Sequence, residues 1–141
     1  MAESVVISEP HGDVLLMPDV PCVAVRWHSF ANSAQFRLLM DEALAYYTRE
    51  AQQTWPLGWL LDLRKMSALL PADQLWLETD WNPRAYNMGV RHIGMVSSDN
   101  IFGRIAAQVY AANTTAREDY ALEPHIFATA EEAKRWVRRN L

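Results

Sequence analysis

The first part of the chain contains three short apolar runs of strand length, and the third of them places Val23, Val25 and Trp27 on one face by alternation. Apolar runs cover residues 5–7, 14–17 and 23–27, and the turn-forming segments 10–12 and 18–19 separate them. Runs of strand length that are joined by connections this short predict three strands in an antiparallel meander.

The apolar spacing then becomes that of a helix. Asn32 or Ser33 can cap this helix, and Gln35 is placed to complete a capping box. The helix is predicted to run to about Gln53, because its apolar positions recur three and four residues apart. Those positions are Phe36, Met40, Ala43, Leu44, Tyr47 and Ala51.

Three further strands are predicted in the rest of the chain. The nearly continuous apolar run at 59–63 is typical of a strand that is covered on both faces. Shorter runs at 93–96 and 124–128 predict the other two strands. A helix is predicted before each of these later strands, so the strands are expected to be parallel.

The helices that alternate with these strands have recognisable ends. A second helix is predicted over 72–81, and we expect Pro83 to break or kink it before a further turn at 84–88. Asp99 or Asn100 opens a third helix. The apolar stripe of that third helix consists of Ile101, Ile105, Val109 and Ala112. A capping box at Thr129 and Glu132 opens the last helix, whose inner face is predicted to hold Ala133, Trp136 and Val137.

The predicted order of elements is βββ-α-β-α-β-α-β-α. This order predicts an α/β fold with a mixed sheet, antiparallel at the start and then parallel, flanked by about four helices. The length of 141 residues and the lack of repeats or linkers predict one domain over 1–141.

Composition narrows the functional classes. The net charge of −4 argues against nucleic acid as a partner, because such proteins normally present a basic surface. No apolar run has the length of a transmembrane helix, and the start of the chain does not resemble a signal peptide, so we expect a cytoplasmic protein. A single cysteine, Cys22, excludes an intramolecular disulfide. The histidines lack metal-ligand spacing and no catalytic motif is found, so we expect neither an enzyme nor a cofactor.

Five short motifs carry a family resemblance. They are W-L-L-D-L-R at 59–64, D-Q-x-W at 73–76, W-x-P-R-A at 81–85, F-G at 102–103 and E-A-K-R-W-V at 132–137. Taken together they resemble a bacterial STAS-like family. The relatives of that family are the anti-sigma-factor antagonists of the sporulation type, and its wider fold group includes the CRAL-TRIO lipid-transfer domains. The resemblance implies a central mixed sheet with about four helices and implies little about activity.

One departure from the antagonist pattern concerns phosphorylation. In the antagonists a phosphorylated serine closely follows the strand-ending aspartate, at the start of a helix. Here Asp62 ends the strand and Arg64 stands roughly where the phospho-acceptor would be. Ser67 lies three residues farther on, outside the helix-start context that makes such a switch effective, which argues against its phosphorylation.

A candidate ligand site combines Asp62, Arg64, Trp81 and Arg84. Asp62 and Arg64 lie at the carboxyl end of a predicted inner strand, where open α/β sheets usually bind ligands. If Arg84 returns over the same edge, two guanidinium groups beside an indole can hold a carboxylate or phosphate. The alternative is a structural ion pair, in which Asp62 accepts hydrogen bonds from Arg84.

Tryptophans supply a second candidate surface. Trp59 is predicted to lie in the core, whereas Trp76 and Trp81 are five residues apart on a helix and cannot both face the core. An exposed aromatic side chain can anchor a homodimer or a protein partner.

Gly103, inside a helical pattern, is predicted to mark close packing of the backbone.

These features lead to one hypothesis and one alternative. The hypothesis is a non-catalytic regulatory or protein-interaction module that associates with itself or with a protein partner through exposed aromatics. The alternative is a carrier of a small acidic ligand or lipid, whose acidic head group is held by Asp62, Arg64 and Arg84.

Overall fold

A computed structural model describes residues 3–141 and contains one six-stranded sheet whose strands lie side by side in chain order. The first three strands pair antiparallel, and the third to the sixth pair parallel. The strands are β1 Ser4–Glu9, β2 Gly12–Met17, β3 Cys22–Trp27, β4 Gly58–Asp62, β5 His92–Val96 and β6 Glu123–Phe127. Met1 and Ala2, which enter the prediction on the signal peptide, lie outside the described residues.

Four helical units accompany the sheet, so the predicted α/β class with a mixed sheet is confirmed. They are α1 Ser33–Glu50, a continuous unit made of α2 Pro71–Trp76, a π-helical turn Leu77–Trp81 and α3 Asn82–Asn87, then α4 Ile101–Ala116 and α5 Ala130–Arg139. None of the helices within residues 3–141 combines the length and the apolar character needed to cross a membrane.

The helices divide between the two faces of the sheet. The unit from α2 to α3, together with α1 and α4, packs on one face and forms the larger core around Trp59, which is 0% exposed. On the other face, α5 contributes Ala133 and Val137 to a smaller core. Both faces of β4 are therefore covered, as its continuous apolar run predicted.

The expected break at Pro83 takes the form of a π turn. The backbone N–H of Asn82 donates to the carbonyl oxygen of Leu77, five residues earlier, and a regular helix resumes at once. The wider π turn makes room for the ring of Pro83, which would crowd the preceding turn of a regular α-helix. It also suits a backbone nitrogen that has no hydrogen to donate. The unit ends at Gly89, whose φ of +109° lies in the left-handed region that glycine adopts without strain.

Candidate functional site

Asp62 lies at the carboxyl end of β4 and is almost completely buried, with 3% of its surface exposed. Its carboxylate accepts hydrogen bonds from Nε of Arg26 at 2.9 Å and from Nε and Nη2 of Arg64 at 2.9 and 2.6 Å. Arg26 lies directly opposite Asp62 in the parallel pair of β3 and β4. The carboxylate therefore ties two strands and the following loop together.

The positive and negative charges of this cluster balance one another. Burial raises the pKa of Asp62, but hydrogen bonds from Arg64 and Arg26 outweigh burial, so that its pKa lies below the ordinary value. Arg26 also contacts the carboxylate of Glu3 at 3.1 Å, and Lys134 lies 3.7 Å from the same carboxylate. Because each cation already faces a carboxylate, the cluster has little unbalanced positive charge to offer to an anion.

The structure does not bring the other two predicted site residues to Asp62. Arg84 instead pairs with Asp41 of α1 and Asp80 of the π turn, each at 2.8 Å. Trp81 is 0% exposed, and its indole Nε1 donates to the carbonyl oxygen of Met40 at 3.1 Å. The expected return of Arg84 over the sheet edge was therefore wrong, because this guanidinium finds two carboxylates on the helical layer.

An apolar cavity lies between the sheet and its helical layer. Its free volume is about 30 Å³, and Met40, Met66, Met95 and Tyr110 are among the side chains that line it. Sites for drug-sized ligands have volumes of roughly 300–1,000 Å³. The cavity thus has room for a group of about the size of a water molecule, whereas a lipid chain needs far more.

No group of three or more His, Cys, Asp or Glu side chains within residues 3–141 is arranged to hold a metal ion. His92 and His125 both contact the carboxylate of Glu123, at 3.2 and 3.3 Å, on the surface beside Trp136. Only the contact of His92 joins β5 to β6, since His125 and Glu123 both lie on β6.

Helix α4 lies close to the rest of the protein because the residues on its inner side are small. Gly103, Ala106 and Ala107 are buried there. A Cβ atom at Gly103 would collide with the carbonyl oxygen of Met66 and with Oγ of Ser98. The prediction that Gly103 marks close packing is therefore confirmed.

A buried polar network fixes the rotation of α4. Asn82, which is 0% exposed, donates from Nδ2 to Thr114 at 3.1 Å and to Tyr120 at 3.0 Å. Its Oδ1 accepts from the hydroxyl of Tyr110 at 2.8 Å. Three of the four hydrogen-bonding positions of this amide are thus satisfied, and two of its partners lie on α4.

The larger apolar residues of α4 consequently face solvent. Phe102 is 62% exposed, Ile105 50% and Val109 40%, although an apolar stripe usually marks the core side of a helix. The spacing of this stripe alternates between three and four residues, and Arg104 is the one charged residue in the helix. We call the stripe the α4 face, and it comprises Phe102, Ile105, Val109, Ala112 and Ala116.

The apolar surface continues from the α4 face onto α2. Leu75 is 60% exposed, and it borders a groove of about 470 Å³ together with Phe102, Ile105 and Val109. The side-chain amide of Gln74 bridges the floor of this groove by donating to the carbonyl oxygen of Ala106 at 2.9 Å. Large apolar side chains that lie together in this way mark interaction sites more often than isolated ones do.

The predicted aromatic surface is distributed differently from the sequence-based expectation. Trp59 is in the core as predicted, and Trp76 is half-buried while Trp81 is fully buried, so that only one of that pair reaches solvent. Trp55 is 64% exposed beside Gly89, away from α4. The aromatic residue on the apolar face is Phe102, which the sequence marked only as part of a family motif and not as an exposed anchor.

Ser67 lies in the loop between β4 and α2 and is half-buried. The loop is fixed from below, since Oγ of Ser98 donates to the neighbouring carbonyl of Met66 at 2.6 Å. Helix α2 begins four residues later, at Pro71, so Ser67 is not at a helix start. That Ser67 is not a phosphorylation switch therefore stays a prediction.

Comparison of the chain with protein-family models, curated proteins and solved structures gives no match in any of the three. The STAS-like resemblance therefore stays a prediction that depends on the five sequence motifs.

Proposed function

We propose that the protein is a non-catalytic interaction module that associates with a second copy of itself through the α4 face. The observation that carries this proposal is the exposure of Phe102, Ile105 and Val109, between 40 and 62% each, on a helix with one charged residue. Water-facing helices of globular proteins normally carry charged and polar residues on that side. The closing helix α5 follows this rule, because most of its residues are charged.

The size of the apolar surface is suited to reversible association. Four large apolar residues contribute to it, and burying the exposed half of each stabilises a complex by about 1 kcal/mol. Two copies together gain about 8 kcal/mol, which is comparable to an association cost of roughly 4–15 kcal/mol. A dimer in exchange with its monomer is the expected outcome. The four residues are Leu75, Phe102, Ile105 and Val109.

The chemistry of the face favours a second copy as its occupant. A partner with a different surface is commonly selected by complementary charges, and α4 offers Arg104 alone. An apolar stripe with alternating three- and four-residue spacing is instead the pattern by which helices pair along their apolar sides. In a twofold dimer the same face serves both copies, so no second surface is required.

The carrier alternative receives less support. Arg64 and Arg26 already share the carboxylate of Asp62, while Arg84 pairs elsewhere. The apolar cavity of about 30 Å³ is far smaller than a lipid chain. The three residues predicted to hold the head group are thus not brought together, and the cavity enclosed between sheet and helices is too small for a lipid tail.

Sedimentation equilibrium of the purified chain tests the proposal, with the variant Ile105→Glu and the matched control Leu38→Glu. Leu38 is 60% exposed on α1, so both changes place a glutamate on a solvent-facing helix position. The wild-type protein and Leu38→Glu are expected to dimerise. Ile105→Glu is expected to be monomeric, because it would place an unpaired carboxylate in the apolar interface, where an unpaired charge costs several kcal/mol.

Circular dichroism shows whether both variants retain the wild-type fold. A wild-type protein that remains monomeric at millimolar concentration would overturn the proposal. A folded Ile105→Glu variant that dimerises as strongly as Leu38→Glu would overturn it as well.

A further inference from the structure

We infer that the α4 helices of the two copies pack antiparallel and cross at Val109. This inference rests on the proposed self-association and specifies its geometry. It follows from the order of side-chain sizes along the α4 face, which decreases from Phe102 at one end to Ala116 at the other.

An antiparallel arrangement matches large side chains with small ones. With Val109 opposite its own counterpart, Phe102 lies at the level of Ala116 of the second copy, seven residues from the crossing on either side. Ile105 lies at nearly the same level as Ala112 of the second copy. The layers on either side of the Val109 pair then each combine a bulky side chain with an alanine, which keeps the two helix axes evenly spaced.

A parallel arrangement lacks this complementarity. It places Phe102 against Phe102 of the second copy at one end and Ala116 against Ala116 at the other. The helices would be held apart at their amino ends, and a gap would remain between the alanines. Poorly filled space of this kind removes dispersion contacts and weakens the interface.

Two polar residues beside the α4 face report on the direction of packing. Arg104 and Thr115 are both exposed and lie eleven residues apart, close to three full turns, so they share one flank of α4. If the helices cross antiparallel at Val109, Arg104 lies within about 2 Å of the axial level of Thr115 of the second copy, at a rise of about 1.5 Å per residue. In such a dimer the twofold axis is perpendicular to both helices. The flank that carries Arg104 in one copy therefore lies on the same side of the helix pair as the flank that carries Thr115 in the second copy.

Cross-linking of single-cysteine variants tests the arrangement. Arg104→Cys and Thr115→Cys are treated with a short bis-maleimide, separately and as an equimolar mixture in which one variant carries an affinity tag. The native Cys22 is a silent background, since it is fully buried and burial raises the pKa of its thiol to about 12. The wild-type protein under the same conditions is the matched control.

The mixture is expected to give a cross-linked heterodimer at least ten times faster than either variant alone. In the antiparallel dimer the thiols introduced by Arg104→Cys in the two copies lie about 15 Å apart along the axis, and those introduced by Thr115→Cys lie about 18 Å apart. Both separations exceed the reach of a short linker.

Sedimentation of the same samples separates the two possible failures. A dimer whose mixture does not cross-link faster than the single variants would overturn the antiparallel arrangement and leave self-association intact. An absence of dimer in all three samples and in the wild-type protein would overturn the proposed function itself.

Discussion

Nε of Arg26 lies 2.9 Å from Oδ2 of Asp62, directly across the parallel pair formed by β3 and β4. The same carboxylate is held from the loop side by Arg64. Asp62 is the last residue of β4 and has almost no access to water. These hydrogen bonds therefore fix the end of an inner strand. Their contribution can be measured as a change in the free energy of unfolding.

We expect Asp62→Asn to lower the free energy of unfolding by about 2 kcal/mol, because the buried side chain loses its charge-assisted hydrogen bonds with Arg26 and Arg64. Urea denaturation at neutral pH measures the change. Asp80→Asn is the matched control. It removes a carboxylate that pairs with Arg84 at the surface, 54% exposed, and should change stability by less than about 1 kcal/mol. Equal effects of the two substitutions would contradict the structural role of Asp62.

The pH dependence of the stability difference between the wild-type protein and Asp62→Asn provides an independent check. The pKa of Asp62 is lowered in the folded protein, so its contribution is complete above the pKa of the unfolded chain, about 4, and is lost as the pH falls through the folded value. The stability difference between wild type and Asp62→Asn should therefore be constant from neutral pH to about pH 5 and shrink at lower pH. A difference that grows on acidification would have the wrong sign.

The fold could be predicted because its elements are local. Helical spacing and capping residues are short-range patterns. The capping box predicted at Asn32 forms in full, whereas at Thr129 only the bond from the backbone N–H of Glu132 to the hydroxyl forms as predicted, and the Glu132 carboxylate accepts from that hydroxyl. The partner of Asp62 could not be predicted in the same way. Arg26 lies 36 residues away and meets Asp62 only through the register of two strands, which a single sequence does not specify.

The orientation of α4 escaped prediction for a different reason. Its sequence is apolar on two sides, and larger residues usually identify the buried one. Here the helix approaches the sheet on Gly103, Ala106 and Ala107, and the amide of Asn82 fixes its rotation from another element. The shortage of charge in α4 was visible in the sequence, and it is the signal that could have indicated an exposed apolar face.

A comparison of two buried tryptophans tests the packing of the larger core. Trp81 and Trp59 are both 0% exposed, and their rings lie 5.2 Å apart. Nε1 of Trp81 donates to Met40, whereas Nε1 of Trp59 has no hydrogen-bond partner among residues 3–141. Replacement by phenylalanine removes similar volume at both positions, but it breaks a hydrogen bond only at Trp81.

We therefore expect Trp81→Phe to be less stable than Trp59→Phe by about 1 kcal/mol or more, since the second substitution also removes a buried donor that lacks an acceptor. Thermal and urea unfolding of the two variants provide the measurement, and each serves as the control for the other. A larger loss in Trp59→Phe would show that ring packing, and not the indole hydrogen bond, dominates at these positions.

Salt offers a final prediction that separates apolar self-association from binding driven by charge. Each copy has a net charge of −4, and two such charges at about 30 Å repel by about 2 kcal/mol in water without salt. Salt screens this repulsion, with a Debye length of about 30 Å at 0.01 M and about 8 Å at 0.15 M. The α4 face carries no ion pair that salt would weaken in return. The dissociation constant of the dimer should therefore fall several-fold between these two concentrations, as measured by sedimentation equilibrium. An increase would mean that ion pairs hold the copies together, and the interface would then have to lie away from the α4 face.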